Sequence, residues 1–357
     1  MTTRERLLAV LNHEKPDSIP DFEFGYWDET ITGWHKQGLP LSVSSNSEVE
    51  CYLGIEGVSI FPLLPFPNGL YPAFEKRVLQ DKGDHVILQD TDGNLCEVPS
   101  TGSTIPRYLK YVIESRADWE KFKRERLDPS HPDRSGDLAL FSQQAKRTGL
   151  PILFNAGSLY GWLRNWMGVE NFSYALMSEK EWVGEMMDHL VLLTLRLIER
   201  LPQGLVDVAW WWEDMCYNHG PLMSPRLFHE LMVPRYKEIT SSLKAKGIVH
   251  NVLDCDGCIY ELVPGWLESN IRVMFPLEAA HTDAVRLRQD YGDQLLLIGG
   301  VDKRALIAGR GAIDRELDRL TPLLQQGGFI PCVDHRVPPE VTLANYSYYL
   351  EKKRSLL

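Results

Sequence analysis

Apolar runs of strand character alternate with helical segments along most of this chain, and from mid-sequence onward those runs end in clusters of acids, histidine and cysteine. Val206-Asp-Val-Ala-Trp-Trp-Trp leads into Glu213 and Asp214. Gly247-Ile-Val-His-Asn-Val-Leu leads into Asp254-Cys-Asp256-Gly-Cys, Val273-Met-Phe-Pro-Leu into Glu278, and Phe329-Ile-Pro-Cys-Val into Asp334-His335. In a parallel α/β barrel, side chains at the C-terminal ends of different strands converge on one mouth, so residues distant in sequence share one site. The pattern therefore points to an enzyme.

Thr2 or Thr3 caps an amphipathic helix through Asn12, ended by Pro16. Ile19 to Phe24 reads as a first strand, its mouth carrying Glu23, Tyr26, Trp27 and Asp28, and Ile55 to Phe61 as a second. Between Arg77 and Pro106 short β-like runs and the turn signal Asp90-Thr-Asp-Gly predict a hairpin excursion. From Leu150 the alternation becomes regular: strands over Pro151–Asn155, Val206–Trp212, Ile248–Leu253, Ile271–Phe275, Leu295–Ile298 and Phe329–Val333, with helical segments between them. One of those helical stretches, Asn171–Leu201, breaks near Ser178, and another begins at Ser224-Pro225 and is stopped by Gly247. Strands separated by helices pair in parallel, and about eight such units close a (β/α)8 TIM barrel. The expected organisation is one barrel domain over residues 1–357, with an N-terminal helix and an insertion after the second strand at about 70–135.

Composition narrows the function. The chain has 357 residues, 44% hydrophobic and 24% charged, enough for a large core. Its formal charge of −11 and the absence of a basic run argue against a nucleic-acid partner. No apolar span is long enough for a bilayer and the N-terminus has no signal-peptide core, so the expected location is cytoplasmic, with no membrane partner. Six scattered cysteines are expected as thiols in that compartment.

The opening Arg4-Glu-Arg-Leu-Leu-Ala-Val-Leu-Asn-His-Glu-Lys-Pro-Asp, the segment Pro221-Leu-Met-Ser-Pro-Arg-Leu-Phe, the run Gly299-Gly-Val-Asp-Lys-Arg and the closing Gly327-Gly-Phe-Ile-Pro-Cys-Val-Asp-His-Arg-Val-Pro-Pro resemble the uroporphyrinogen decarboxylase-like superfamily over nearly the whole chain. The resemblance implies a (β/α)8 barrel and admits two chemistries, heme-pathway decarboxylation and corrinoid-linked methyl transfer, which the fold alone does not separate. Where the decarboxylase resemblance would require an arginine-rich loop for a polyanion, this chain reads Asp21-Phe-Glu-Phe-Gly-Tyr-Trp-Asp-Glu. Where the zinc-dependent methyltransferases carry His-x-Cys-Gly and a later Cys, matching on the glycine puts Asp254, Asp256 and His335. The chain is similar to the methyltransferase branch more than to the decarboxylase and matches neither fully.

By that carry-over Asp254, Asp256, Glu278 and His335 are the candidate ligands of a divalent metal, zinc in the family, in an oxygen-rich site that favours an oxygen-bearing substrate over a thiol. Glu213, Asp214 and His335 are the candidate catalytic groups, for orientation or proton supply. Tyr26, Trp27, Tyr160, Trp162 and Trp212 are the candidate wall for a ring-bearing small molecule. Plainer readings compete at several positions. The Cys255/Cys258 pair stands alone and is a weak redox or zinc signal. Cys332 can face the barrel core, His250 sits inside a strand, Asp302 can cap a helix, and a salt bridge from Glu213 to Arg164 is an alternative to chemistry. The leading expectation is a methyltransferase that takes a methyl group from an aryl methyl ether or similar O-methyl compound and passes it to a corrinoid on a partner protein. A decarboxylase of a small carboxylated ring, anchored by Arg164 or Arg336, and a non-catalytic binding barrel with dispersed acids are the alternatives.

Overall fold

A computed structural model describes residues 1–57, 61–100 and 106–356. Its centre is a parallel sheet of β5 (Leu153–Gly157), β6 (Val208–Trp212), β9 (His250–Asp254), β10 (Val273–Leu277), β11 (Leu296–Val301) and β12 (Phe329–Val333), in the order β12-β11-β10-β9-β6-β5. Strand alternation sorts their side chains into two cores. Leu153, Val208, Val252, Val273, Phe275, Leu296, Ile298, Ile330 and Cys332 form one cluster inside the curved sheet, together with Phe22 and Phe61. The residues between them, such as Phe154, Ala209, Trp211, Leu253, Met274 and Leu297, pack outward on the helices.

Two extended segments fill the places of the first and second strands, and the architecture is a (β/α)8 barrel with six regular strands. Residues 62–64 meet β5 through Leu64 N to Leu153 O (2.9 Å) and Leu153 N to Pro62 O (2.9 Å). Residues 21–27 meet the second segment through Glu56 N to Asp21 O (2.8 Å) and the far side through Val337 N to Gly25 O (2.9 Å). Neither segment builds a ladder, because prolines at 20 and 62 remove donors. Of the second expected strand, residues 58–60 lie outside the described residues.

Helix Thr3–Leu11 starts at a Thr2 capping box with Glu5. The long stretch after β5 breaks as its sequence implies, into Gly161–Met167, Val169–Ser178 and Lys180–Glu199. The helix predicted from Ser224 opens with that serine accepting Leu227 N. The hairpin excursion is larger than expected, an antiparallel four-stranded sheet of β1 (Arg77–Asp81), β2 (His85–Gln89), β3 (Leu95–Pro99) and β4 (Arg107–Lys110). Its turn is pinned over the barrel by Asn94 Nδ2 to Asn165 O (3.2 Å). A two-stranded ribbon, β7 (Cys216–Tyr217) and β8 (Gly220–Pro221), follows β6. At the other end of the chain, helix Leu343–Arg354 closes against the first segment. Lys353, fully buried, reaches Glu23 (2.5 Å), Asp21 (2.6 Å) and the Phe22 carbonyl (3.0 Å), while Tyr349 donates to Glu23 (2.7 Å). Among the described residues no helix is long and apolar enough to cross a membrane. All six cysteines are free thiols.

Candidate active site

The acids at the strand ends share an address and little else. Glu213, just past β6, is fully buried, and its carboxylate accepts from Ser158 Oγ (2.9 Å), Leu159 N (2.9 Å), Tyr160 N (2.8 Å), Gly161 N (3.3 Å) and Tyr236 OH (2.7 Å). It ties the loop after β5 and the start of helix Gly161–Met167 to the end of β6. Of the two roles expected of Glu213, orientation is the one that this cage of five donors fits. Burial still pushes its carboxyl upward, against those hydrogen bonds. Asp214, with φ +41°, turns away from Glu213 and pairs with Arg164 at 2.6 Å; the salt bridge weighed for Glu213 belongs to its neighbour.

Asp254 ends β9 and is different in kind. By register it lies beside Trp212, on the same face as the inward residue Val252. Protein surrounds its carboxyl on nearly every side while a part stays open to the mouth. Burial pushes the carboxyl well above the ordinary range, and the negative charges of Asp256 and Asp214 push the same way; a hydrogen bond from Trp210 and the charge of Arg336 oppose them. Among the described residues no cation forms an ion pair with this side chain. Asp256, two residues on, pairs with His335 Nε2 at 3.4 Å. Burial raises its carboxyl too, but the hydrogen bond and charge of His335 outweigh it and hold it below the ordinary range. An acid whose proton affinity is raised thus sits beside one whose proton affinity is lowered.

The remaining strand ends are saturated. Glu278, after β10, accepts from Lys303 Nζ (2.9 Å) and Gly257 N (3.2 Å). Asp302, after β11, caps helix Lys303–Ala308 and is held by Arg304, as the plainer reading had it. Asp334, after β12, accepts from Ala279 N (3.0 Å) and Lys303 N (3.1 Å), and burial pushes its carboxyl up to about 6. Among the described residues no three His, Cys, Asp or Glu side chains converge to hold a metal ion. The four candidate ligands do not fit a zinc site as placed: Glu278 is committed to Lys303, and Asp256 and His335 to each other. Cys332 packs inside the barrel. Cys255 is buried and its thiol donates to the Asp256 carbonyl (3.7 Å), while Cys258 is half-buried, and the two stand as separate free thiols.

The aromatic wall divides. Tyr26 is fully buried behind the barrel, bonded to Tyr346 OH at 2.8 Å and packed on Trp34, so it is not part of the mouth. The cause is Gly25, whose φ of +124° breaks the alternation after the inward Phe22 and Phe24; Tyr26 then points out and Trp27 in. Tyr160 is likewise buried, against Phe172. Trp27 stays at the mouth, 39% exposed and stacked on His335 with 6.0 Å between centroids. Trp162 and Trp212 line a cavity of about 310 Å³ between the insertion and the ends of β5 and β6, with Asn68, Asn155, Asn165 and Asp92. Larger cavities of about 420 and 610 Å³ lie at the opposite, N-terminal ends of the strands, away from these acids. Strand reasoning missed the floor of the mouth. Phe24 meets His335 (5.4 Å) and Phe275 (4.7 Å), and Phe275 meets Trp210 (5.1 Å), the residue bonded to Asp254. The signal was available, since Phe24, Phe275 and Trp210 all fall on inward positions of their segments.

Comparison with known proteins follows the same outline. The family model described as Uroporphyrinogen decarboxylase (URO-D) matches residues 96–355. No curated protein matches the chain significantly. Among solved structures, a methyltransferase from Methanosarcina mazei aligns over 99% of this chain and 98% of its own, with a TM-score of 0.63 and 16% sequence identity. At that identity the likeness is one of fold.

Proposed function

The chain belongs to the uroporphyrinogen decarboxylase family, and from that premise we propose that it is a methyltransferase that takes a methyl group from a small aryl methyl ether and passes it to a corrinoid held by a partner protein. The observation that carries this reading is Asp254, a partly exposed carboxyl at the end of β9 that has no ion pair among the described residues and whose proton affinity is raised by burial and by two acids. An ether is hard to cleave because the alkoxide or phenoxide is a poor leaving group, and a positioned proton donor lowers that barrier. Asp254 gives its proton to the ether oxygen as the methyl–oxygen bond breaks, and that bond's electron pair stays on oxygen. The corrinoid, when docked, supplies the electron pair that accepts the methyl carbon. The carboxylate left on Asp254 is stabilised by Trp210 and by the charge of Arg336, and the neighbouring Asp256–His335 pair returns a proton. Trp212, the strand neighbour of Asp254, lines the 310 Å³ cavity with Trp162, and that cavity is the place assigned to the ring. The methyltransferase neighbour in fold supports the branch. An acidic rim is the surface offered to the partner.

The test is incubation with methoxylated aromatics and a reduced corrinoid protein, following the corrinoid absorbance as it is methylated. Wild type is expected to transfer the methyl group and Asp254→Ala to fail. Carbon dioxide released from a carboxylated ring with no corrinoid present, and no methyl transfer from any ether, would replace this reading with a decarboxylase.

A further inference from the structure

The mouth is not the only place where chemistry-bearing side chains of separate β/α units meet. At the opposite, N-terminal ends of the strands, the cavity of about 420 Å³ is lined by Lys244 near the end of helix Val233–Ala245, His250 at the start of β9, Arg272 just before β10 and His13 just after helix Thr3–Leu11. Its charge is opposite to that of the chain. The formal total is −11, yet Asp293 is the one acid in this lining, and its carboxylate is held by Arg288 at 3.2 Å. Among the described residues the Lys244 and Arg272 side chains have neither a hydrogen bond nor an ion pair. Lys246, two residues on, shows the difference, since its ammonium donates to the Glu199 and Leu201 carbonyls (both 2.9 Å). A helix C-terminus opposes an anion, because its last carbonyls carry partial negative charge. At two helix ends beside the cavity a left-handed residue turns the chain back and occupies a carbonyl. After His13 (φ +56°), Glu14 N donates to Ala9 O at 2.8 Å, and after Asn270 (φ +59°), Ile271 N donates to Trp266 O at 2.9 Å. The side chains then set the character of the cavity: an ammonium, a guanidinium and the ring N–H groups of two histidines.

We propose that this cavity binds the phosphate group of a small phosphorylated molecule, at a site separate from the mouth. A phosphate ester brings close to two negative charges and three acceptor oxygens, which matches two unpaired cations and the imidazole donors. A lone carboxylate brings one charge and leaves one of the cations uncompensated. A guanidinium takes two phosphate oxygens at once and an ammonium acts as a point charge on the third, so Arg272 and Lys244 are complementary in kind. The volume lies within the roughly 300 to 1,000 Å³ of small-molecule sites, more than a bare ion fills. The adjoining cavity of about 610 Å³ shares His13 and adds the apolar side chains of Val10, Ile19, Leu324 and Phe329, a place for the rest of the molecule. Chemistry in a (β/α)8 barrel sits at the other face, so a ligand here is held and not converted. No residue of the mouth takes part, and the inference stands apart from the methyltransferase reading.

Titration calorimetry on the full chain, in low-salt buffer free of phosphate, compares glycerol 3-phosphate, inorganic phosphate, glycerol and succinate. Both phosphates are expected to bind at a single site, the ester more tightly, and glycerol and succinate to give no saturable binding. Arg272→Gln and Lys244→Gln, at exposed positions where the fold tolerates the change, are each expected to weaken the ester by about 10- to 100-fold, the worth of a charged hydrogen bond. Lys15→Gln, which lines the adjoining cavity alone, is expected to leave its affinity within about threefold. The histidine ring resonances locate the ligand: those of His13 and His250 are expected to shift on adding the ester, and that of His335 at the mouth to stay in place. No saturable binding of the ester below about 10 mM overturns the proposal. So does affinity that survives both substitutions together, succinate bound as tightly as the ester, or a shift at His335 in place of His13 and His250. Inorganic phosphate bound without the ester would mean an adventitious ion only, and the phosphorylated ligand would be lost.

Discussion

Glu213 and Asp254 end neighbouring strands, are both buried and are both pushed upward by burial, yet the two sites have opposite designs. Around Glu213 five donors converge, three of them backbone N–H groups of residues 159–161, and the carboxylate does the work of a clasp between two strand ends and a helix. Around Asp254 the donors are few, the charges that raise it are other acids, and the residue stays partly exposed. A buried carboxyl with every lone pair satisfied holds structure, whereas one that lacks donors is left holding its own proton. Position at a strand end does not separate the two; the supply of donors does.

The sharpest way to break this contrast is to remove the acidity of Asp254 without its shape. Asp254→Asn is expected to lower methyl transfer by about 100- to 10,000-fold, the range for a lost general acid, while unfolding stability changes by less than about 1 kcal/mol because the amide keeps the shape of a carboxyl whose charged form burial already disfavours. The pH profile carries the sign. The protonated form is the donor and its affinity for the proton is raised, so wild-type activity persists above the ordinary carboxylate range near about 4 and falls only as pH rises through the raised value. Activity that fell along with the ionisation of an ordinary aspartate would mean that Asp254 works as a carboxylate, and the proposed step would be lost.

Glu213→Ala tests the other half. With the carboxylate gone, Tyr236 OH, Ser158 Oγ and the N–H groups of residues 159–161 lose their acceptor inside the protein, and a loss of about 3 to 4 kcal/mol in urea unfolding is expected. Activity should fall only in proportion to the folded fraction. Full stability with abolished transfer would make Glu213 a chemical group and dissolve the distinction.

The distribution of what the sequence made visible follows the same physics. Alternation is a local property, so Phe329–Val333 is a strand in both sequence and structure, and the other five regular strands lie within a few residues of their expected bounds. The first two strands depart from regularity at prolines and at Gly25, and a single glycine with φ +124° moved Tyr26 from the mouth to the outer layer. Asp254, Asp256 and His335 were legible as neighbours because barrel topology brings strand ends together. Glu213 was not legible as a clasp, because its donors come from a loop and a helix more than fifty residues earlier and from Tyr236, 23 residues later. The metal expectation met the same obstacle: Lys303, which occupies Glu278, comes from the following β/α unit. Donor saturation is a tertiary quantity, and no window of sequence contains it.

The smallest effect is the most discriminating for position alone. Asp302 ends β11 as Asp254 ends β9, and its Oδ1 accepts from Arg304 N at 2.8 Å while Arg304 Nε and Nη2 bond the same carboxylate. It caps helix Lys303–Ala308 and is fully supplied with donors, so it belongs with Glu213. Asp302→Ala is expected to cost about 1 kcal/mol, the usual worth of a helix cap, and to leave methyl transfer within about twofold, since less than about 0.5 kcal/mol separates such rates. A melting curve and the corrinoid absorbance assay on the same preparation read both quantities. If transfer fell 100-fold while the melting curve stayed in place, being an acid at a strand end would be sufficient for chemistry, and the donor count that sets Asp254 apart from its neighbours would have no bearing on the site.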